Sequence, residues 1–179
     1  MDFVEGLVSV AIPAYKSTFL KESIDSVLEQ DYSFLELIIV NDHSPNDINN
    51  IVELYKDNRI RYYINRTNLG KTSIVHNWNR CLSLAKGEFF VLLCDDDVLF
   101  PDFLSTLLKL ADRYPSCSVF HSRRRLYDNQ LNTYYDEDTW PEFESYNDFY
   151  SSYVESKRHH TISEFLYRTK SIIQRAFIV

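Results

Sequence analysis

Short apolar runs alternate with stretches of helical period from the start of the chain to residue 121. Residues 7–12 (LVSVAI) predict a first strand that stops at Pro13. Leu20, Ile24, Val27 and Leu28 then recur at a 3.6-residue period, predicting a helix that Ser17 or Thr18 is placed to cap. Residues 36–40 (ELIIV) predict a second strand. After the turn-forming stretch 42–47, Ile48, Ile51, Val52 and Tyr55 mark a second helix. Residues 60–64 (IRYYI) predict a third strand, and Ile74, Val75, Trp78, Leu82 and Ala85 share one face of a helix with Gly87 as its expected C′ glycine. Residues 89–94 (FFVLLC) predict a fourth strand. Pro101 opens a helix carrying Phe103, Leu104, Leu107, Leu108 and Ala111. A fifth strand is expected from residue 118, running on toward Leu126 before a turn at Asp128 and Asn129.

This order of strand, helix, strand predicts an α/β fold: a mostly parallel central sheet with right-handed crossovers and helices on both faces. From residue 132 the pattern fails. The polar and aromatic stretch 132–138 is expected to be a loop with one short helix, and regular structure is expected again at 161–168, followed by a helix over 169–175. Two parts are therefore expected, 1–127 as a ligand-binding α/β unit and 128–179 as the start of a second region.

At 179 residues the chain suits one compact α/β domain, and a hydrophobic share of 45% supplies a sizeable core. A formal charge of −7 argues against non-specific binding to nucleic acid or to an anionic membrane surface. Such a protein can still take a phosphate ligand if a divalent cation bridges the two. Cys81, Cys94 and Cys117 are odd in number and lack CxxC spacing, so neither a disulfide framework nor a zinc site is expected. Reduced thiols, no signal-like start and no long apolar segment point to a cytoplasmic protein without a membrane span.

The candidate chemistry lies at strand ends. Pro13, Ala14 and Tyr15 follow the first strand, Asn41 and Asp42 the second, and the consecutive Asp95, Asp96 and Asp97 the fourth. Three carboxylates in a row repel one another unless a cation or hydrogen-bond donors compensate them. Loops that converge at the carboxyl edge of a parallel sheet are the usual construction of a nucleotide site.

With these residues in place, the chain resembles the donor-binding part of family 2 glycosyltransferases, which have the Rossmann-like nucleotide-diphospho-sugar transferase fold called GT-A. The resemblance rests on VSVAIPAYK (8–16), SIDSVLEQDYSFLELIIVNDHSPND (23–47), NLG (68–70), NWNRCLSLAKGEF (77–89) and LLCDDDVLFPDFL (92–104), and it covers roughly residues 7–125.

The resemblance implies that Pro13, Ala14 and Tyr15 contact the nucleobase, and that Asp42 accepts the base's N–H, which favours a UDP-sugar. Asp96 would contact the ribose, and Asp97 would coordinate Mn²⁺ or Mg²⁺ at the diphosphate, with Asp95 as a second ligand and donor contact. Lys71 and Ser73 are candidate diphosphate or base contacts. Cys94 stands where the family's frequent Asp-Ser-Asp-Asp form has its first aspartate, and Asp95 is the candidate substitute.

The acceptor implied is a saccharide or a lipid-linked molecule, the latter bringing the protein to the inner face of the membrane. The family's catalytic base lies beyond the fifth strand. Residues 161–177 look like the approach to it, so the chain is expected to stop before the base, and Glu164 is not assigned that role. Arg123, Arg124 and Arg125, with His159 and His160, are read as solvated basic positions. The alternatives are a non-catalytic nucleotide-sugar binding module and a DxD phosphatase of the haloacid dehalogenase type, whose DxD normally follows the first strand.

Overall fold

A computed structural model of the chain describes residues 3–122, 125–128, 133–136 and 175–178. Its main sheet is built on β1 (Val4–Ala14), β2 (Leu35–Asn41), β3 (Ile60–Ile64) and β4 (Gly87–Leu92), with α1 (Leu20–Leu28), α2 (Ile48–Glu53) and α3 (Ile74–Leu84) as connections. α4 (Phe103–Arg113) leads to β5 (Val119–His121). β6 (Arg125–Asp128) and β7 (Thr133–Asp136) form a separate antiparallel pair, and β8 (Arg175–Ile178) returns to the main sheet. The strand order is β3-β2-β1-β4-β8-β5, with every described pairing in that sheet parallel.

Burial on both faces explains why the strands are apolar runs rather than alternating ones. All seven residues of β2 are buried. On one face Val8, Val10, Ile12, Leu37, Ile39 and Val91 pack with Leu20, Ile24, Ile48, Leu104 and Leu107 of α1, α2 and α4. On the other, Ala11, Ile38, Val40 and Phe90 meet Cys81 and Leu82 of α3. Helices thus cover both faces, as the sequence predicts.

Several expectations are corrected. α1 begins at Leu20 with Phe19 in the N-cap place and no side-chain cap bond, so neither Ser17 nor Thr18 caps it. Gly87 is the first residue of β4, not a C′ glycine. A Cβ there would lie 2.4 Å from the Leu7 carbonyl oxygen, so only glycine lets β4 approach β1 this closely. α4 starts two residues after Pro101, and its buried Leu104 N–H is satisfied by Oε1 of Gln30, just past the end of α1, at 3.0 Å.

The fifth strand ends at His121 instead of running on to Leu126, and Leu126 belongs to β6. The stretch expected to be a loop contains β7, paired with β6 from Arg125↔Asp136 to Asp128↔Thr133. Arg175, expected to end a helix, opens β8, which inserts between β4 and β5. The main sheet therefore draws on both sides of residue 127. The expectations for 161–168, Glu164, Arg123, Arg124, His159 and His160 lie outside the described residues.

Candidate functional site

The strand order reverses between β1 and β4: the chain winds from β1 through β2 to β3 on one side, then returns to place β4 on the other. A crevice at the carboxyl ends of the strands is expected at such a switch point. Pro13 helps to open it. The Asp42 N–H donates to the Ala14 carbonyl at 2.9 Å, so Ala14 directs its polar groups toward β2. Its neighbour Pro13 faces the β4 side and has no N–H to give. Pairing with β4 ends just before it, at Ala11↔Leu92 and a last bond from the Leu93 N–H to the Ala11 carbonyl.

Across the opening, Asp95 ties the two loops together. One oxygen, Oδ2, accepts the backbone N–H groups of both Tyr15 and Lys16 at 2.6 Å. Asp95 is buried, whereas Asp96 and Asp97 are exposed. The Lys16 ammonium sits 2.8 Å from Asp96 Oδ2, and that bond and charge hold it above the ordinary lysine range. The donor atoms of Cys94, Asp96 and Asp97 lie within 4.8 Å of one another. Asp95, expected as a metal ligand alongside Asp97, stands outside this trio.

Burial pushes the Cys94 thiol up to about 12, with the Asp97, Asp96 and Asp95 charges adding to the effect and a hydrogen bond to Asp97 holding the proton. A thiol that keeps its proton is a poor soft-metal ligand. The two exposed carboxylates of the trio are hard oxygen ligands that fit Mg²⁺ or Mn²⁺. α1 and the residue just past its C-cap secure the segment after the triplet: the Leu99 N–H donates to Ser26 Oγ at 3.2 Å, and Gln30 Nε2 donates to the Phe100 carbonyl at 2.7 Å.

The second wall is organised by Asp42, which is only 3% exposed. Its Oδ1 accepts from Asn65 Nδ2 at 2.7 Å and from the Leu69 N–H at 2.8 Å, and its Oδ2 accepts from the Gly70 N–H at 2.7 Å. Asn65 Nδ2 also donates to Asn77 Oδ1 of α3 at 3.0 Å. A Cβ on Gly70 would lie 2.9 Å from Asp42 Oδ2, which explains the glycine in the Asn-Leu-Gly stretch. Ser44 Oγ and Asn46 Nδ2 both donate to the Tyr15 carbonyl, joining the loop after β2 to the loop after β1.

Ala14 is buried, and the Tyr15 ring is exposed at the rim. Lys71 is exposed, its backbone N–H held by Asn68 Oδ1 at 2.7 Å, and Ser73 occupies the N-cap place of α3 without a side-chain cap bond. Sequence reasoning passed over Lys16, Asn65 and Asn77. The available signal for Lys16 was a basic residue on the loop facing an acidic triplet.

The sequence model of Glycosyl transferase family 2 matches residues 9–176. The chain belongs to this family. Membership sets aside the phosphatase alternative. Over 108 residues, 59% of this chain, it is 37% identical to a GalNAc(5)-diNAcBac-PP-undecaprenol beta-1,3-glucosyltransferase of Campylobacter jejuni, of which it covers 34%. It is 35% identical over 143 residues to a chondroitin synthase of Pasteurella multocida, covering 76% of this chain and 14% of that protein.

Among solved structures, TarS residues 1–349 of S. aureus in complex with UDP superpose with a TM-score of 0.58 at 25% identity, covering 65% of this chain and 35% of that one. The same protein with UDP-GlcNAc gives a TM-score of 0.57 at 25% identity, covering 65% of this chain and 34% of that one. The fold is that of the GT-A glycosyltransferases. The chain spans about a third of the length of the Campylobacter relative and of the TarS fragment. Among the described residues no helix is long and apolar enough to cross a membrane.

Proposed function

We propose that residues 1–127 form the donor-binding part of an inverting glycosyltransferase that takes a UDP-linked sugar with Mn²⁺ or Mg²⁺ and transfers it to an acceptor hydroxyl in polysaccharide or glycoconjugate synthesis. The observation that carries this reading is the Asp95 clamp, which holds the β1 loop and the acidic loop of β4 in one crevice at the switch point. The UDP and UDP-GlcNAc complexes of TarS support the choice of nucleotide.

In this reading the base stacks near the exposed Tyr15 ring between Pro13, Ala14 and the loop at Leu69 and Gly70. Asp42 accepts the imide N–H of uracil. A carboxylate oxygen has two lone pairs, and the Gly70 N–H uses one of those on Oδ2, so one acceptor position remains. Asp96 faces the ribose and the cation, and Asp97 is the principal ligand. Bound there, a divalent cation would offset the charge of the departing diphosphate.

Lys71 and Ser73 border the same loop and are placed as secondary phosphate or base contacts. The acceptor oxygen attacks the anomeric carbon in line, the bond to the diphosphate oxygen breaks, and the configuration inverts. The hydroxyl proton goes to a carboxylate base that we leave unassigned. A saccharide or a lipid-linked alcohol suits this chemistry equally.

Titration calorimetry with UDP, with and without Mn²⁺, tests the reading. Tight binding is expected only with the metal, because an acidic site repels a diphosphate. Equal affinity in EDTA overturns it, as does full retention of metal dependence in Asp97→Asn.

A further inference from the structure

We infer that Lys16 is the resting counter-ion of the acidic triplet and exchanges with the divalent cation at Asp96. The inference rests on the reading above that Asp96 and Asp97 take such a cation. It begins with how closely the lysine is built into the triplet. Asp95 Oδ2 fixes the Lys16 backbone N–H at 2.6 Å, and the next residue, Asp96, receives the Lys16 ammonium at 2.8 Å. The backbone clamp fixes the root of the side chain, and the ion pair fixes its tip. Its own carbonyl neighbour Tyr15 is further held by Ser44 and Asn46.

Asp96 therefore has two claims on its charge. It belongs to the trio of converging donor atoms with Cys94 and Asp97, and it is also the ion-pair partner of Lys16. Without a metal, the ammonium neutralises one of two adjacent exposed carboxylates and lowers their mutual repulsion. A dication entering the trio meets a nearby positive charge and draws on the carboxylate that Lys16 holds. The two cations cannot share that position at full strength.

The Lys16–Asp96 pair is suited to such exchange because it is exposed, with side-chain accessibilities of 64% and 40%. Exposed pairs are weak, so a dication can displace the ammonium at small cost. A buried pair would block the site instead. Lys16 is thus a positioning residue that sets how readily the empty site accepts metal, and it favours metal that arrives with an anionic ligand over metal alone.

The test measures Mn²⁺ uptake directly, by calorimetry and by the electron paramagnetic resonance signal of free Mn²⁺, in the wild-type chain, Lys16→Met and Lys16→Arg, each without nucleotide. Lys16→Met removes the competing charge and is expected to bind Mn²⁺ roughly three- to tenfold more tightly. Lys16→Arg keeps the charge and should stay near wild type. Circular dichroism checks that each variant is folded, and the exposed side chain leaves the core untouched.

Equal or weaker Mn²⁺ binding by Lys16→Met, or tightening by Lys16→Arg to the same degree, overturns the exchange while leaving the Mn²⁺–UDP reading in place. A wild-type chain that takes up no Mn²⁺ even with UDP present overturns both.

Discussion

Replacing Asp42 by asparagine puts an amide where three donors converge. The wild-type carboxylate accepts from Asn65 Nδ2, the Leu69 N–H and the Gly70 N–H, all within 2.8 Å. An asparagine has one acceptor oxygen, so its NH₂ must face a donor it cannot satisfy. Two hydrogen bonds fall from the charged class to the neutral one, a loss of about 1 kcal/mol each, and the third donor, left buried without an acceptor, costs about 1–3 kcal/mol. Removing a buried charge returns part of this. The net expectation is about 3 kcal/mol of lost stability, roughly a hundredfold in the folded-to-unfolded ratio.

Urea unfolding followed by far-ultraviolet circular dichroism should show the midpoint falling by about 1–2 M with an unchanged slope. Hydrogen exchange at the Leu69 and Gly70 amides should quicken at the same time, because the two N–H groups lose their shared anchor. UDP affinity should fall as well, through the same loop. A change in stability below about 0.5 kcal/mol, within the usual range for surface substitutions, would refute the clamp. Weakened UDP binding alone would then make Asp42 purely a ligand contact.

Gly70→Ala attacks the same clamp from the other side: with its Cβ 2.9 Å from Asp42 Oδ2, it should cost about 1–3 kcal/mol in the same urea assay. Asp57 offers a pH test away from the site. Its hydrogen bonds to Arg59, partly opposed by burial, hold its carboxyl below the usual aspartate range. The stability this contributes is full above the unfolded pKa and is lost as pH falls through the lower folded one. Asp57→Asn should therefore be about 1 kcal/mol less stable than wild type at neutral pH. The gap should close as the pH drops below the ordinary aspartate range, and a gap that widens in acid would contradict the assignment.

How much of this was legible in the sequence depends on whether the cause was local. β2 was readable because its run Leu37 to Val40, covered on both faces, is apolar without interruption, and nothing distant alters that. The start of α4 was not, because the donor at Leu104 is met by Gln30, 74 residues away, while Asp102 in the N-cap place makes no side-chain cap bond. β7 looked like a polar loop because its pairing with β6 is the only signal that Thr133–Asp136 is a strand. β8 is four residues long, too short for period alone to separate strand from helix.

At the site, the loops and the switch point were readable from residue order. The separate roles of three identical aspartates were not, since only tertiary position turns Asp95 inward and Asp96 and Asp97 outward.

That division bears on why three consecutive aspartates can be tolerated. If all three faced one ligand, the empty crevice would hold three crowded negative charges in a chain already at −7. Asp95 instead spends its charge on the Tyr15 and Lys16 amides, where a charged acceptor strengthens both bonds and fixes the β1 loop. Lys16 then offsets Asp96, and Cys94 gives its proton to a hydrogen bond with Asp97. The charge left facing the crevice is close to that of one carboxylate. Such a site still repels a bare diphosphate and gains most from a ligand that brings its own dication. The order of binding follows from the charges: metal and nucleotide should enter together or in close succession, with neither held tightly alone.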